Sequence, residues 1–127
     1  MYDYKEVMKK DVEYYLTDYC DEEEVEKYLK DCYELYDDLW IEDSVTGNGS
    51  GAYFNKESEA KAAVMDNLPL LVDSLRDFGS LDMLAEMLRE ENWSGMDVTI
   101  RCGLLAEVCD EVLEEMKEKR LDNAEEM

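Results

Sequence analysis

Apolar side chains recur at three- and four-residue steps along most of this chain, a period that predicts helices rather than strands. Tyr4, Val7, Met8, Val12, Tyr15, Leu16 and Tyr19 mark one face of a helix over residues 4–18. Val25, Tyr28, Leu29, Cys32, Leu35, Tyr36 and Leu39 form the most regular stripe and predict one continuous second helix. Acidic Asp21 to Glu24 lie at its start, where carboxylates suit the positive end of the helix dipole. The segment DSVTGNGSGA, residues 43–52, ends that helix. Asn48-Gly49 favours positive φ, so the region near residues 39–54 admits either a short β-hairpin or an ordered loop.

Asn55 reads as the N-cap of a third helical stretch carrying Ala60, Ala63, Val64, Leu68, Leu71, Leu75 and Phe78. Pro69 should kink or divide it, because proline lacks the N–H donor and clashes with the preceding turn; Asn67 then caps the second piece. Gly79 is a stop signal and Ser80 the next N-cap, opening a short helix with Leu81, Leu84, Met87 and Leu88. Asp97 reads as the cap of a long last helix with Ile100, Leu104, Leu105, Val108, Val112 and Met116. Lys117, Lys119 and Arg120 suit its negative end, and a frayed tail is expected beyond residue 120. The expectation is a mainly α fold of about five helices in one domain spanning residues 1–127.

Charge changes this picture most. Thirty-five Asp and Glu against thirteen Lys and Arg leave a formal net charge of -22 over 127 residues. Such charge opposes compaction, yet 46% hydrophobic residues, with two Trp and nine Tyr, argue for a folded domain rather than disorder. Direct nucleic-acid or anionic-membrane binding is disfavoured, because both surfaces would repel the chain. A cationic protein surface would be attracted and steered in. Leu68–Val72 is too short to cross a bilayer and the first residues lack a signal-peptide pattern, so a cytoplasmic location is expected.

Enzymatic chemistry has little to work with. The chain has no histidine, which removes the commonest general base and the usual partner of a mixed zinc site. Cys20, Cys32, Cys102 and Cys109 form no CxxC and read as free thiols that behave as small hydrophobes. The acidic run at Asp21 lacks the central glycine of a calcium loop. Gly47, Gly49 and Gly51 match a nucleotide fingerprint only weakly. No cofactor, metal or catalytic residue is expected.

Two acidic edges remain as candidate binding surfaces. On the last helix Glu107, Glu111, Glu114 and Glu118 step by four, three and four residues. At 1.5 Å rise per residue they stand roughly 4.5–6 Å apart along the axis, a coarse imitation of phosphates spaced about 3.4 Å on a DNA strand. Glu22, Glu26, Asp37 and Asp38 offer a second edge, with Tyr33 between. Residues 1–43 hold 16 acids, 5 bases and eight of the nine tyrosines. Tyr14 and Tyr33 lie off their apolar stripes and are the better interface candidates, since Tyr brings rigid area with a polar handle. Asn48, in the Gly-rich loop, is the remaining candidate contact. A solvated helix face explains either acidic stripe taken alone.

The segment DSVTGNGSGAYFN, with DVTIRCGLL later, resembles small acidic proteins of phages and conjugative elements of gut Firmicutes. That group tends to carry a DSVTGNGSGSYTFN-like stretch, a Leu-rich helix ending in Phe-Gly, and a DVTIRC-type start to the last helix. Ser44–Phe54, Leu68–Gly79 and Asp97–Leu105 match, while the loop here is one residue shorter and the Tyr-rich beginning is less typical. No functional residue carries over from the group. The resemblance implies a mobile-element setting, where small acidic proteins of the anti-CRISPR and anti-restriction kind recur. Charge and resemblance together lead to an expected non-enzymatic inhibitor that occupies the cationic groove of a nucleic-acid-binding partner, such as a CRISPR or restriction nuclease. The rival expectation is an interaction or regulatory module whose acidity serves only solubility. Oligomeric state is left open.

Overall fold

A computed structural model of the chain describes residues 2–42, 45–47 and 53–126. Their regular structure is seven α-helices and one π-helical turn: α1 (Tyr4–Tyr14) running into the turn Tyr15–Tyr19, α2 (Glu22–Lys30), α3 (Cys32–Glu42), α4 (Glu57–Met65), α5 (Leu68–Phe78), α6 (Leu81–Arg89) and α7 (Trp93–Glu126). The mainly α expectation agrees, but five helices was too few. No strand occurs among the described residues, so the hairpin near residues 39–54 is not supported there: residues 39–42 close α3, while 45–47 and 53–56 are turns and bends. Asn48-Gly49, its expected turn, lies outside the described residues.

The second helix is two because Asp31 leaves the helical region, at φ -141° and ψ 91°. Its carboxylate accepts from the Tyr33 N–H at 3.1 Å and its carbonyl accepts from the Glu34 N–H at 3.1 Å, which caps α3. The apolar stripe concealed this break: Val25 and Tyr28 before it and Leu35 and Leu39 after it are all buried in the same core. Asp31 three residues before Glu34 was the signal, a spacing typical of helix starts.

Pro69 does divide the third stretch, sitting in the first turn of α5 where its missing N–H has no partner to lose. Lys56, not Asn55, occupies the N-cap position of α4, without a side-chain cap. Asn67 stands at the N-cap position of α5, but its amide donates to the carbonyls of Ala63 (2.9 Å) and Tyr2 (2.8 Å). It therefore ties the α4–α5 corner to the start of the chain. Gly79 ends α5, and Ser80 Oγ accepts from the Met83 N–H at 3.2 Å as the cap of α6.

The last helix begins four residues before the expected cap. Asn92 accepts from the Gly95 N–H at 3.0 Å, and Glu57 of α4 accepts from the N–H groups of Trp93 (2.9 Å) and Ser94 (3.2 Å) and from the Ser94 hydroxyl. These contacts occupy N–H groups that the first helical turn cannot pair internally. At 34 residues α7 is about 50 Å long, and its backbone is helical past residue 120, to Glu126. It is the spine on which the other helices pack. Ile100, Leu104, Leu105, Val108, Val112 and Leu113 meet Met8, Val12 and Leu16 of α1, Leu35 and Leu39 of α3, Val64 of α4 and Leu71 of α5. Gly103 lets α5 approach closely, since a Cβ there would stand 2.1 Å from Ser74 Oγ.

Asp97 is not a cap but a fully buried carboxylate paired with fully buried Arg101 one turn on, at 3.1 Å. Tyr4 donates its hydroxyl to Asp97 at 2.6 Å, and Arg101 donates to the Tyr2 hydroxyl at 2.6 Å. The rings of Tyr2, Tyr4, Tyr53 and Phe54 surround the guanidinium, with Tyr53 at 3.5 Å from Cζ. Tyr53 is held in turn by its hydroxyl bond to Asp11 (2.6 Å). Burial works against the Arg101 charge, but Asp97 and the Tyr2 hydroxyl outweigh it, and Arg101 stays protonated. Tyr53 and Phe54 of one segment that carries the resemblance thus meet Asp97 and Arg101 of the other, and Val45 and Thr46 are also buried.

Arg101→Met would strand the Asp97 carboxylate without its cation and is expected to cost about 3–5 kcal/mol, read by urea denaturation. Adding Asp97→Leu removes both charges and should recover most of that loss. A single-variant loss under about 1 kcal/mol would mean that the pair behaves like a surface contact and does not organise this core.

Candidate partner-binding surface

Helical spacing places Glu107, Glu111, Glu114 and Glu118 on the outward side of the second half of α7; Glu107, Glu114 and Glu118 are exposed and Glu111 half-buried. The row is not wholly free. Lys5 of α1 reaches Glu107 at 2.7 Å and Glu111 at 3.3 Å, and Lys9 reaches Glu115 at 2.5 Å. Lys117 lies 3.6 Å from Glu114 on the same helix. Glu118 has no ion pair among the described residues. These solvent-accessible pairs are screened and individually weak, so an incoming cation can compete for the carboxylates.

The second acidic edge adjoins the first. Glu22, at the start of α2, pairs with Arg120 near the end of α7 at 2.7 Å. At the start of α3, the Cys32 thiol donates to Asp110 in the middle of α7 at 2.6 Å. Glu26 and Asp37 are exposed and make no ion pair among the described residues. Asp38 is turned to internal work, accepting the Tyr28 hydroxyl at 2.6 Å. Burial, then this bond, raises the Tyr28 phenol far above its ordinary range. Tyr14 stands apart: it is exposed, and its ring packs edge-on against Tyr19 at 5.6 Å. Asn48 lies outside the described residues.

Between α3 and α7 runs a groove of about 410 Å³ lined by Cys32, Tyr33, Tyr36, Ala106 and Asp110. Tyr33 is 68% exposed, with its ring 5.8 Å from that of Tyr36, which continues to Trp40 at 5.8 Å. Glu107 and Glu114 stand one turn before and one turn after Asp110, and Asp37 one turn after Tyr33. An aromatic floor therefore lies among four carboxylates. Sequence reasoning missed Asp110 and assigned Tyr36 wholly to the core stripe. The signal for Asp110 was present, because three residues after Glu107 and four before Glu114 is the same helical face.

Cys102 and Cys109 are buried and Cys20 and Cys32 partly so, all four as free thiols. Burial, then the bond to Asp110, pushes the Cys32 thiol up to about 12; burial does the same to Cys109, also to about 12. Neither is poised as a thiolate nucleophile at neutral pH. No group of three or more metal-binding side chains is assembled among the described residues. No helix among them is long and apolar enough to cross a membrane. Comparison of the chain with protein-family models, curated proteins and solved structures gives no match.

The two raised thiols make stability pH-dependent with a definite sign. Unfolded thiols ionise near about pH 8.5, whereas Cys32 and Cys109 hold their protons to about 12. Their contribution is complete below the unfolded value and is lost as pH rises toward the folded one. Melting followed by circular dichroism should show a falling midpoint from about pH 8.5 upward, and Cys32→Ala with Cys109→Ala should make the fall shallower. A midpoint unchanged by pH across that range would contradict the burial of these groups.

Proposed function

We propose that this protein is a non-enzymatic inhibitor that binds a cationic, nucleic-acid-binding protein and occupies its groove. What carries this reading is the α3–α7 groove, where exposed Tyr33 and its neighbour Tyr36 lie among Asp37, Glu107, Asp110 and Glu114. An arginine side chain is the complementary probe for such a surface: its planar guanidinium stacks on an aromatic face and pairs with carboxylates at the same time. The acidic row along α7 extends the contact in the direction of a phosphate strand, and the net charge of -22 steers a basic partner toward it. Lys5 pairs with Glu107 and Lys117 with Glu114, which leaves Asp37, Asp110 and Glu118 as the carboxylates of this surface without an ion pair among the described residues. A defence nuclease of the CRISPR or restriction kind is the partner class that the sequence resemblance favours.

One observation favours a second reading, an interaction or regulatory module whose acidity serves solubility. α6 is amphipathic but contains no buried residue, and Leu81, Met83 and Leu88 stay exposed. Contact of that apolar face with an uncharged partner would be insensitive to salt.

Immobilised protein, challenged with bacterial lysate and eluted in a salt gradient, should release one nucleic-acid-binding protein that its own DNA or RNA displaces. With that partner purified, Tyr33→Ala or Asp110→Asn should weaken binding about tenfold or more, and rising salt should weaken it further. Binding that ignores both substitutions, or a diffuse spread of basic proteins, would rule out the groove as the site.

A further inference from the structure

The face of α6 left uncovered by the rest of the chain has a pattern that complements itself. Leu84 and Met87 rest against the core, while Leu81 is 78% and Leu88 48% exposed. Ala85, also exposed, lies between them on the same helical face. Beside this stripe, Val72 of α5 is 46% exposed and Leu68 is exposed too. A groove of about 400 Å³ separates the two helices, lined by Val72, Leu75, Arg76, Gly79, Ser80, Leu81 and Leu84.

We infer that a second copy of this chain covers this face, with the two α6 helices antiparallel about a twofold axis near Ala85. A twofold contact requires a patch that matches itself, and the charges beside the stripe do. Asp82 and Arg89 lie on the same flank of the stripe, near its opposite ends. Antiparallel pairing about residue 85 brings Asp82 of one copy opposite Arg89 of the other, and the symmetry repeats the pair. Neither residue has an ion pair in its own chain among the described residues; Arg89 Nε donates only to the Ala85 carbonyl at 3.4 Å. Leu81 of each copy meets Leu88 of the other, and Ala85 at the centre allows the close helix approach that small contact residues permit.

A two-turn helix with the edge of α5 is a small interface, of the size found in weak, reversible complexes. The net charge of -22 on each copy opposes association. Salt that screens this repulsion therefore strengthens the dimer. That is the opposite of its effect on a cationic partner, so the dimer and the groove proposal can fail independently.

Sedimentation equilibrium of the full chain, from micromolar to near-millimolar concentration, tests the inference. The expected result is a concentration-dependent dimer that tightens with salt and is lost in Leu81→Glu with Leu88→Glu, while circular dichroism stays unchanged because both side chains are exposed. Asp82→Arg and Arg89→Asp should each weaken the dimer about tenfold, since each opposes like charges, and the two together should restore it. A monomer at every concentration would overturn the inference. So would a dimer indifferent to the leucine substitutions, or a double charge exchange that fails to restore association.

Discussion

Taking a guanidinium out of water costs several kcal/mol unless its charge is matched and its donors are occupied. Three separate parts of this chain meet most of that condition for Arg101, whose Nη1 has no hydrogen-bond partner among the described residues. Asp97 supplies the countercharge, Tyr4 and Tyr2 the hydroxyl contacts, and Tyr53 with Phe54 the ring faces. The beginning of the chain, the segment after the Gly-rich loop and the first turns of α7 are thereby held in register. The ion pair itself lies within α7, so the link to other segments comes from the hydroxyls of Tyr2 and Tyr4 and the rings of Tyr53 and Phe54. These directional contacts favour one placement of the beginning of the chain and of residues 53–54 on α7, although well-packed apolar residues could supply comparable stability.

Once α7 is fixed as the spine, the distribution of charge follows. Its inner side carries the leucines and valines of the core, and its outer side carries most of its carboxylates. Several of the few cations bridge elements: Lys5 and Lys9 join α1 to α7, and Arg120 joins α7 to α2. These bridges reduce repulsion along the helix seams, while Asp110 and nearby Asp37 stay beside the tyrosine rings of the α3–α7 groove without an ion pair among the described residues. Acidity and assembly are thus compatible here because cations are placed where acidic helices touch.

The molecule presents two unlike surfaces. One combines carboxylates with exposed tyrosine beside α7, and the other is an apolar strip on α5 and α6. Salt separates them physically, since screening weakens attraction to a basic partner and relieves repulsion between like-charged copies. A dimer formed through α6 would leave the α3–α7 groove, built from different elements, as a separate surface on each copy.

Periodicity made much of the fold legible: helical elements, the division at Pro69, the stop at Gly79 and the cap at Ser80 all follow from local chemistry that acts within a few residues. It failed where tertiary partners decided. Asp97 looks like a cap because it precedes an apolar run, but Glu57 on another helix and Asn92 nearby occupy that role, which leaves Asp97 to Arg101. Asp31 breaks a stripe whose apolar phase continues unchanged across the break. Asp110 and Tyr36 became part of a surface only when α3 lay beside α7. The sequence by itself determined the helical class, the acidity and which side of each helix is apolar, because these depend on spacing and composition. Tertiary structure alone decided which carboxylates are neutralised by a lysine, which are buried and which line a groove, because a residue's phase on its helix does not identify the helix beside it.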